Sequence, residues 1–372
     1  MGTYQRNNAV TDTAASDAGI DATGASWILE QISMNDDFGD ASFDTNRWTD
    51  NSLAGATLTE SGGTLNSSNA TNAAYAIAQA DFKLSGNFNV QVNYQSIVDT
   101  IVPITVGRYY AYLLMEQDAS NNKAYISRRH NTDGVERIFS GISVGGVPTY
   151  NQADISALPQ TQASGKLKII RTGTGVTTHY WNTEVFSWVQ LGSVASAFTG
   201  DAAPALWGCY VAGSPTSGSC SSGMDDFIVN SGTQVGGYYQ SLNTFSLDEL
   251  YVPEIQTLDC STLAVAFAGT GSYEIREKHS LTTSAGGTYT SWLTEAQFQA
   301  LSDFDFKYLT IELRLVSATA YEDAEVTSIE IIYNPYPPVG VDTGFEPDRP
   351  VMVDSEYDFL VVSGGIIYGV TL

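Results

Sequence analysis

Basic residues are scarce: 16 lysines and arginines stand against 41 aspartates and glutamates in 372 residues, a formal net charge of −25. A field of that sign repels phosphate backbones, which argues against a nucleic-acid partner. An acidic excess serves solubility, divalent-cation binding or docking to basic surfaces, and in its simplest form is a solvated anionic surface. Cysteine is scarcer still. Cys209, Cys220 and Cys260 cannot all pair within one chain, and none has the C-x-x-C spacing of a metal site or redox motif, so they read as reduced thiols. No run approaches the ~18 apolar residues of a membrane helix, which excludes insertion by a helix. Met1-Gly2-Thr3-Tyr4-Gln5-Arg6 lacks the apolar core of a secretory signal and the Ser or Thr of a myristoylation signal, so the expectation is production in a cytoplasm. The histidines, His130, His179 and His279, lie far apart, without a Gly-x-Ser-x-Gly elbow, a His-Glu-x-x-His helix or a phosphate-binding glycine loop. Nucleophilic and zinc chemistry are poorly supported, and ordinary strand or surface histidines are the simpler reading.

What is abundant is alternation. Phe88-Asn89-Val90-Gln91-Val92-Asn93-Tyr94-Gln95 alternates apolar and polar residues without a break, the pattern of a half-buried strand. Similar segments recur from Thr57 to Val229, separated by Gly, Asn and Asp, as in a sheet packed on another sheet. Asp133-Gly134 marks a hairpin. A Ser, Gly, Thr, Gln and Tyr-rich stretch from Asn230 to Phe245 reads as a boundary, and a second block of strands runs to Tyr333. One helix is expected over Thr294–Leu301, where Thr294 and Gln297 have capping-box spacing. Pro335, Pro337 and Pro338 end that block. The reading is an all-β chain: an N-terminal arm (1–30), a β-sandwich (31–232), a linker (233–247), a second small β-sandwich (248–334) and a C-terminal arm (335–372).

Several groups could carry chemistry. Glu116 and Asp118, and Asp303 and Asp305, have the i, i+2 spacing of a carboxylate pair, but each falls at a turn. Asp36, Asp37, Asp225 and Asp226 are clustered acids near strand ends, suited to calcium or to plain capping of turns. Asp225 and Asp226 point to opposite faces of a regular strand, so one of them would serve. Tyr109, Tyr110, Tyr112, Trp181, Trp188 and Trp207 supply rings on which sugars stack, although strands must bury about half of them. In the acidic tail, Phe359, Leu360, Val361, Val362, Ile366, Ile367 and Tyr368 form a β-prone end that either adds a strand to a neighbouring subunit or folds back on its own domain.

Asp37-Phe38, Phe43-Asp44-Thr45-Asn46-Arg47-Trp48, Gly165-Lys166-Leu167-Lys168-Ile169-Ile170-Arg171, Tyr180-Trp181-Asn182 and Met224-Asp225-Asp226-Phe227-Ile228-Val229 resemble the concanavalin A-like lectin/glucanase superfamily, in its broad laminin-G-like sense. The resemblance implies a two-sheet jelly roll whose concave face often holds glycans, with Tyr110, Tyr112, Trp181 and Trp188 as glycan-binding candidates. It also implies a structural calcium between Asp37 and Asp226. The hydrolase branch carries a Glu-x-Asp-x-Glu strand that this chain lacks. The second block, with Tyr273-Glu274-Ile275-Arg276 and Ile329-Glu330-Ile331-Ile332-Tyr333, resembles small β-sandwich modules of phage tails and baseplates. With the two arms, these resemblances imply a non-enzymatic bacteriophage virion protein, a tail, fibre or capsid-decoration component assembled in the host cytoplasm. Its expected partners are other virion proteins, further copies of itself as a homo-oligomer, and host surface glycans. The alternative is a lectin-like carbohydrate-binding protein and, after it, a glycan hydrolase.

Overall fold

The alternation from Phe88 to Gln95 is realised in full: Phe88, Val90, Val92 and Tyr94 are buried and the residues between them are not. Each such apolar side chain contributes roughly 1.5–3 kcal/mol on leaving water. The computed structural model describes residues 2–7, 20–21, 26–53, 55–70, 74–117, 121–154, 164–183, 185–239, 242–247, 249–284, 286–335, 359–363 and 366–370. In chain order β1 (Gly2–Asn7), β2 (Ile20–Asp21) and β3 (Trp27–Leu29) come first. Then follow β4 (Trp48–Asp50), β5 (Ala56–Ser61), β6 (Thr64–Asn69), β7 (Tyr75–Ala80), β8 (Phe82–Asp99), β9 (Gly107–Gln117) and β10 (Asn122–His130). They are continued by β11 (Glu136–Val144), β12 (Val147–Asp154), β13 (Gly165–Thr172), β14 (Gly175–Asn182), β15 (Ser187–Val194), β16 (Ala202–Ala212) and β17 (Cys220–Gly236). The remainder comprises β18 (Leu242–Ser246), β19 (Leu250–Gly269), β20 (Ser272–Ser280), α1 (Glu295–Gln299), β21 (Phe304–Val316), β22 (Ala324–Pro335), β23 (Phe359–Ser363) and β24 (Ile366–Val370).

Strands β4 to β17 make an antiparallel sandwich of two seven-stranded layers. One runs β12-β11-β10-β9-β16-β7-β4 and the other β15-β14-β13-β8-β17-β6-β5, and a single residue pair, Ala202 with Leu84, joins them. The core between the layers includes Phe88, Val92, Leu113, Ile126, Leu167 and Phe227. The Asp133-Gly134 hairpin joins β10 to β11, with Gly134 at φ +80° and Asn131 N bonded to Val135 O at 3.0 Å. Strand β6 is all but invisible to propensity, because Thr64-Leu65-Asn66-Ser67-Ser68-Asn69 is built of short polar residues. It forms because β5 and β17 pair with it on either side.

The second block buries Phe245, Leu258, Ile275, Phe306, Leu313 and Ile329 around one core. Strand β19 pairs with β21 along its first part and with β22 along its second. The capping box at Thr294 is present, although the helix ends at Gln299. The N-terminal segment differs from a free arm. Trp27 pairs opposite Val326 and stacks on Phe245 at 4.9 Å and 7°, so residues 27–29 complete the second core and β4 to β17 lie between two pieces of it. The tail residues expected to supply an intersubunit strand pair internally, β23 against β24. The acidic spacer before them lies outside the described residues.

Candidate functional site

Strand β9 organises the site. Ala111, Leu113 and Met115 enter the core, so Tyr112, Leu114 and Glu116 point out of the sandwich. Both neighbouring strands then skip Tyr110: Ala111 and Tyr109 face Arg128 and Arg129 of β10, and Tyr112 and Tyr109 face Trp207 and Tyr210 of β16. A bulge resets the alternation. Tyr109 therefore rejoins Tyr112 on the outer face, and Tyr110 turns inward and is fully buried.

From Tyr112 a row of rings crosses six strands. Tyr75, Trp207, Tyr112, Tyr125, Phe139 and Tyr150 follow one another at centroid separations of 5.0, 5.1, 4.8, 6.1 and 5.3 Å. At ordinary strand spacing such a row is roughly 24 Å long. Tyr75, Trp207, Tyr112 and Tyr125 stack within 21°, 27° and 17° of parallel, and the separations exceed ring thickness, so the rings are offset like tiles. Gly141 makes the tiling possible: a Cβ there would lie 2.3 Å from Tyr125 Cζ. Burial pushes the Tyr112 and Tyr125 hydroxyls up from their ordinary value, so they stay protonated donors at neutral pH. Arg129 is seated in the row, with its guanidinium carbon 3.2 Å above the Phe139 ring centroid and 5.7 Å from that of Tyr109. Burial, and the adjacent Arg137, pull it down from its ordinary value.

Four residues along β7 and β9 from Tyr75 and Tyr112, roughly 13 Å from the row, lies a recess of about 340 Å³ lined by Thr49, Gln79, Asp81, Glu116 and Tyr321. Burial holds Asp81 above the usual carboxylate range, against the bond it accepts from Thr49 Oγ1 at 2.8 Å. Glu116 pairs with Lys123 at 3.2 Å. Asp118 lies outside the described residues. Asp303 and Asp305 are caps, accepting from the Cys260 backbone and the Thr257 hydroxyl.

The four glycan-binding candidates are dispersed. Tyr112 is in the row, whereas Tyr110 is a correction: its hydroxyl is spent inside on Asp99 at 2.5 Å and Glu136 at 3.3 Å. Trp181 and Trp188 meet edge to face at 5.6 Å on β14 and β15, in the other layer, with Lys168 Nζ 3.8 Å over Trp188. Burial and Lys168 pull the nearby His179 down. Of the rings considered only in general, Trp207 is in the row and Tyr109 lies beside it, 6.0 Å from Tyr112; Tyr75, Tyr125 and Phe139 gave no signal because each is a lone aromatic in its own strand.

Asp37 and Asp226 line one recess of about 370 Å³. The opening and closing motifs are zipped together by backbone bonds between Asp36 and Phe227 at 2.9 and 2.8 Å. Asp36 is consumed by Trp48 Nε1 at 2.7 Å and Arg47 at 2.6 Å. Asp37 accepts from Gly39 N at 3.0 Å and Asp226, bulged to φ +46°, from Asn93 Nδ2 at 2.7 Å, so each spends one carboxylate oxygen on a hydrogen bond. Burial, then Asp226, then Asp37 hold Asp225 above the usual range. Elsewhere Asp99, His130 and Glu136 converge with ligand atoms within 4.8 Å of one another. Arg108 and Arg128 already neutralise the two carboxylates, which makes this a closed polar plug at the sandwich end and a poor cation site.

No described protein family matches the sequence, and no curated protein does. Solved structures match at the level of fold. A legume lectin-like domain from Entamoeba histolytica is 11% identical, with 50% of this chain and 91% of that one covered and a TM-score of 0.37. LamAcat from Zobellia galactanivorans is 8% identical, with 53% and 97% covered and a TM-score of 0.38. The β-glucanase of Bacillus licheniformis is 10% identical, with 55% and 98% covered and a TM-score of 0.36. The likeness is one of fold, an all-β sandwich. Several of the matched structures are glycoside hydrolases or glucanases, and no phage tail module is shown among them. This corrects the expectation of a non-enzymatic virion component, which rested on the arms and on the looser likeness of the second block.

Proposed function

We propose that the protein is a carbohydrate-binding protein that lays a polysaccharide chain along the aromatic row. The observation that carries the reading is the row itself: six rings from six strands, four of them half-buried, with Phe139 buried and Tyr150 exposed, one tiled over a glycine. The apolar faces of sugars stack on such rings, and the hydroxyls and Arg129 supply polar contacts beside them. Affinity electrophoresis of the full-length protein through gels containing soluble β-glucan tests it. Trp207→Ala should lose retardation, and Trp181→Ala, on the opposite layer, should keep it. Loss on changing Trp181 alone would move the site and overturn the assignment.

Hydrolysis is a second reading, favoured by one feature: Glu116 and Asp81 line one recess, and glycoside hydrolysis uses two carboxylates. The outward positions Tyr112, Leu114 and Glu116 offer one carboxylate rather than three. Reducing-end release that disappears in both Glu116→Gln and Asp81→Asn would support it; release unaffected by either would end it. For the recess between Asp37 and Asp226 we propose a structural calcium, which would clamp the first residues of the jelly roll to its last strand.

A further inference from the structure

We infer that the polysaccharide taken by the aromatic row is anionic, and that a carboxylate or sulfate on one of its sugars meets Arg129; the inference rests on the row being a sugar platform. Arginine is rare in this chain, and its charge is almost always spent. Arg47, Arg108, Arg128, Arg137, Arg276 and Arg314 each pair with a carboxylate. Arg171 is saturated by the carbonyls of Gly173 and Gly200 at 2.8 and 2.5 Å. Among the described residues, Arg129 alone of these has neither. Its one side-chain hydrogen bond is to Tyr109 Oη at 3.4 Å, and its Nε is buried without a partner.

The surroundings sharpen the contrast. Arg137 sits directly across from Arg129 in the β10–β11 register and takes both nearby acids, Asp133 at 2.7 Å and Asp154 at 2.5 Å. The groups facing Arg129 are rings: Phe139 beneath it, Tyr109 beside it, Tyr125 next along β10's outer face. In a protein with a net charge of −25, an arginine left unneutralised among aromatic rings is a costly arrangement for the empty fold. Its planar fork suits a two-oxygen anion held against a stacked ring, a geometry a lysine would not provide.

The overall acidity also limits the ligand. A uniformly charged polyanion would be repelled over most of the surface. The ligand class is therefore a mostly neutral chain with spaced acidic sugars, one of which meets Arg129.

Titration of the full-length protein at fixed ionic strength with neutral β-glucan, sparsely uronated gellan, densely uronated polygalacturonate and sulfated carrageenan tests this. Gellan or carrageenan should bind about tenfold or more tighter than β-glucan, as expected for a charge-assisted bond. Which of the two prevails tells carboxylate from sulfate. Arg129→Gln should abolish that preference and bring the anionic and neutral chains to the same affinity. Equal binding of neutral and anionic chains by the unmodified protein, or a preference that survives Arg129→Gln, overturns the inference while the platform stands. Tightest binding to polygalacturonate overturns the sparse-charge part. Binding to none of the four overturns the platform and the inference together. The unmodified protein's preference decides the matter even if Arg129→Gln fails to fold.

Discussion

Replacing Gly141 by alanine should dismantle the aromatic row without touching a ring. Gly141 is mid-strand and does not use left-handed backbone, so the substitution carries no conformational strain. Its effect is steric. A Cβ at 2.3 Å from Tyr125 Cζ, 2.5 Å from its Oη and 2.6 Å from Cε1 cannot coexist with the present rotamer, and the Tyr125 side chain must swing off the row. That breaks the stack with Tyr112 at 4.8 Å and the contact with Phe139 at 6.1 Å. Two aromatic pairs at ~0.5–1.5 kcal/mol each amount to about 1–3 kcal/mol. Alanine returns ~0.4–1 kcal/mol by narrowing the unfolded ensemble, which leaves a net loss of about 1–2 kcal/mol. For a unit of this size that lowers Tm by roughly 2–8 °C. Loss of one tile should weaken polysaccharide binding about tenfold. A double-mutant cycle isolates the cause: if the clash with Tyr125 is responsible, Gly141→Ala in a Tyr125→Ala background should leave affinity unchanged and raise Tm slightly, by the ~0.4–1 kcal/mol of the narrowed unfolded ensemble. Gly141→Ala with unaltered binding, or an equal loss in both backgrounds, would refute the reasoning.

Other outcomes follow from the same structure. Trp27→Ala removes a side chain 2% exposed and stacked on Phe245, so it should cost about 3–5 kcal/mol and lower the calorimetric transition of the second sandwich alone. No shift would return Trp27 to a free arm. Millimolar calcium should raise Tm by several degrees, since a ligand at ~100 times its Kd adds about 2.7 kcal/mol, and Asp37→Asn with Asp226→Asn should abolish the gain. Absence of any gain in the unmodified protein would remove the calcium reading. Burial, then the bond shared with Asp40, pushes Glu60 up from 4.5 to about 7. Between those values the folded state holds the proton that the unfolded chain has lost, so the contribution of Glu60 falls as pH rises and is gone above about 7. Glu60→Gln should therefore melt higher than the unmodified protein at pH 8, and the two should converge toward pH 4; parallel curves would contradict the assignment.

The legible parts of the sequence were those that local rules control. Strand β8 follows from strict alternation, the β10–β11 hairpin from Asp133-Gly134, and the start of α1 from Thr294 and Gln297. The pairing of the opening Asp36-Asp37 with the closing Asp225-Asp226 was reachable through the jelly-roll resemblance, since closure of a two-layer sandwich brings its ends together. The site was mostly not legible. A regular strand puts Tyr110 and Tyr112 on one face, and a single bulge removed Tyr110 from the surface and put Tyr109 in its place.

By itself, then, the sequence determined that this is an all-β chain, because burial with period two is written locally in most of its strands. The aromatic row was decided only in three dimensions. Its rings come from positions 75 to 207 and lie together through strand order, a non-local property, and Tyr125 fits only because an unremarkable glycine on the next strand lacks a Cβ. The same holds for Arg129. One arginine reads like any other until the fold assigns the acids, and here it assigns them to Arg137.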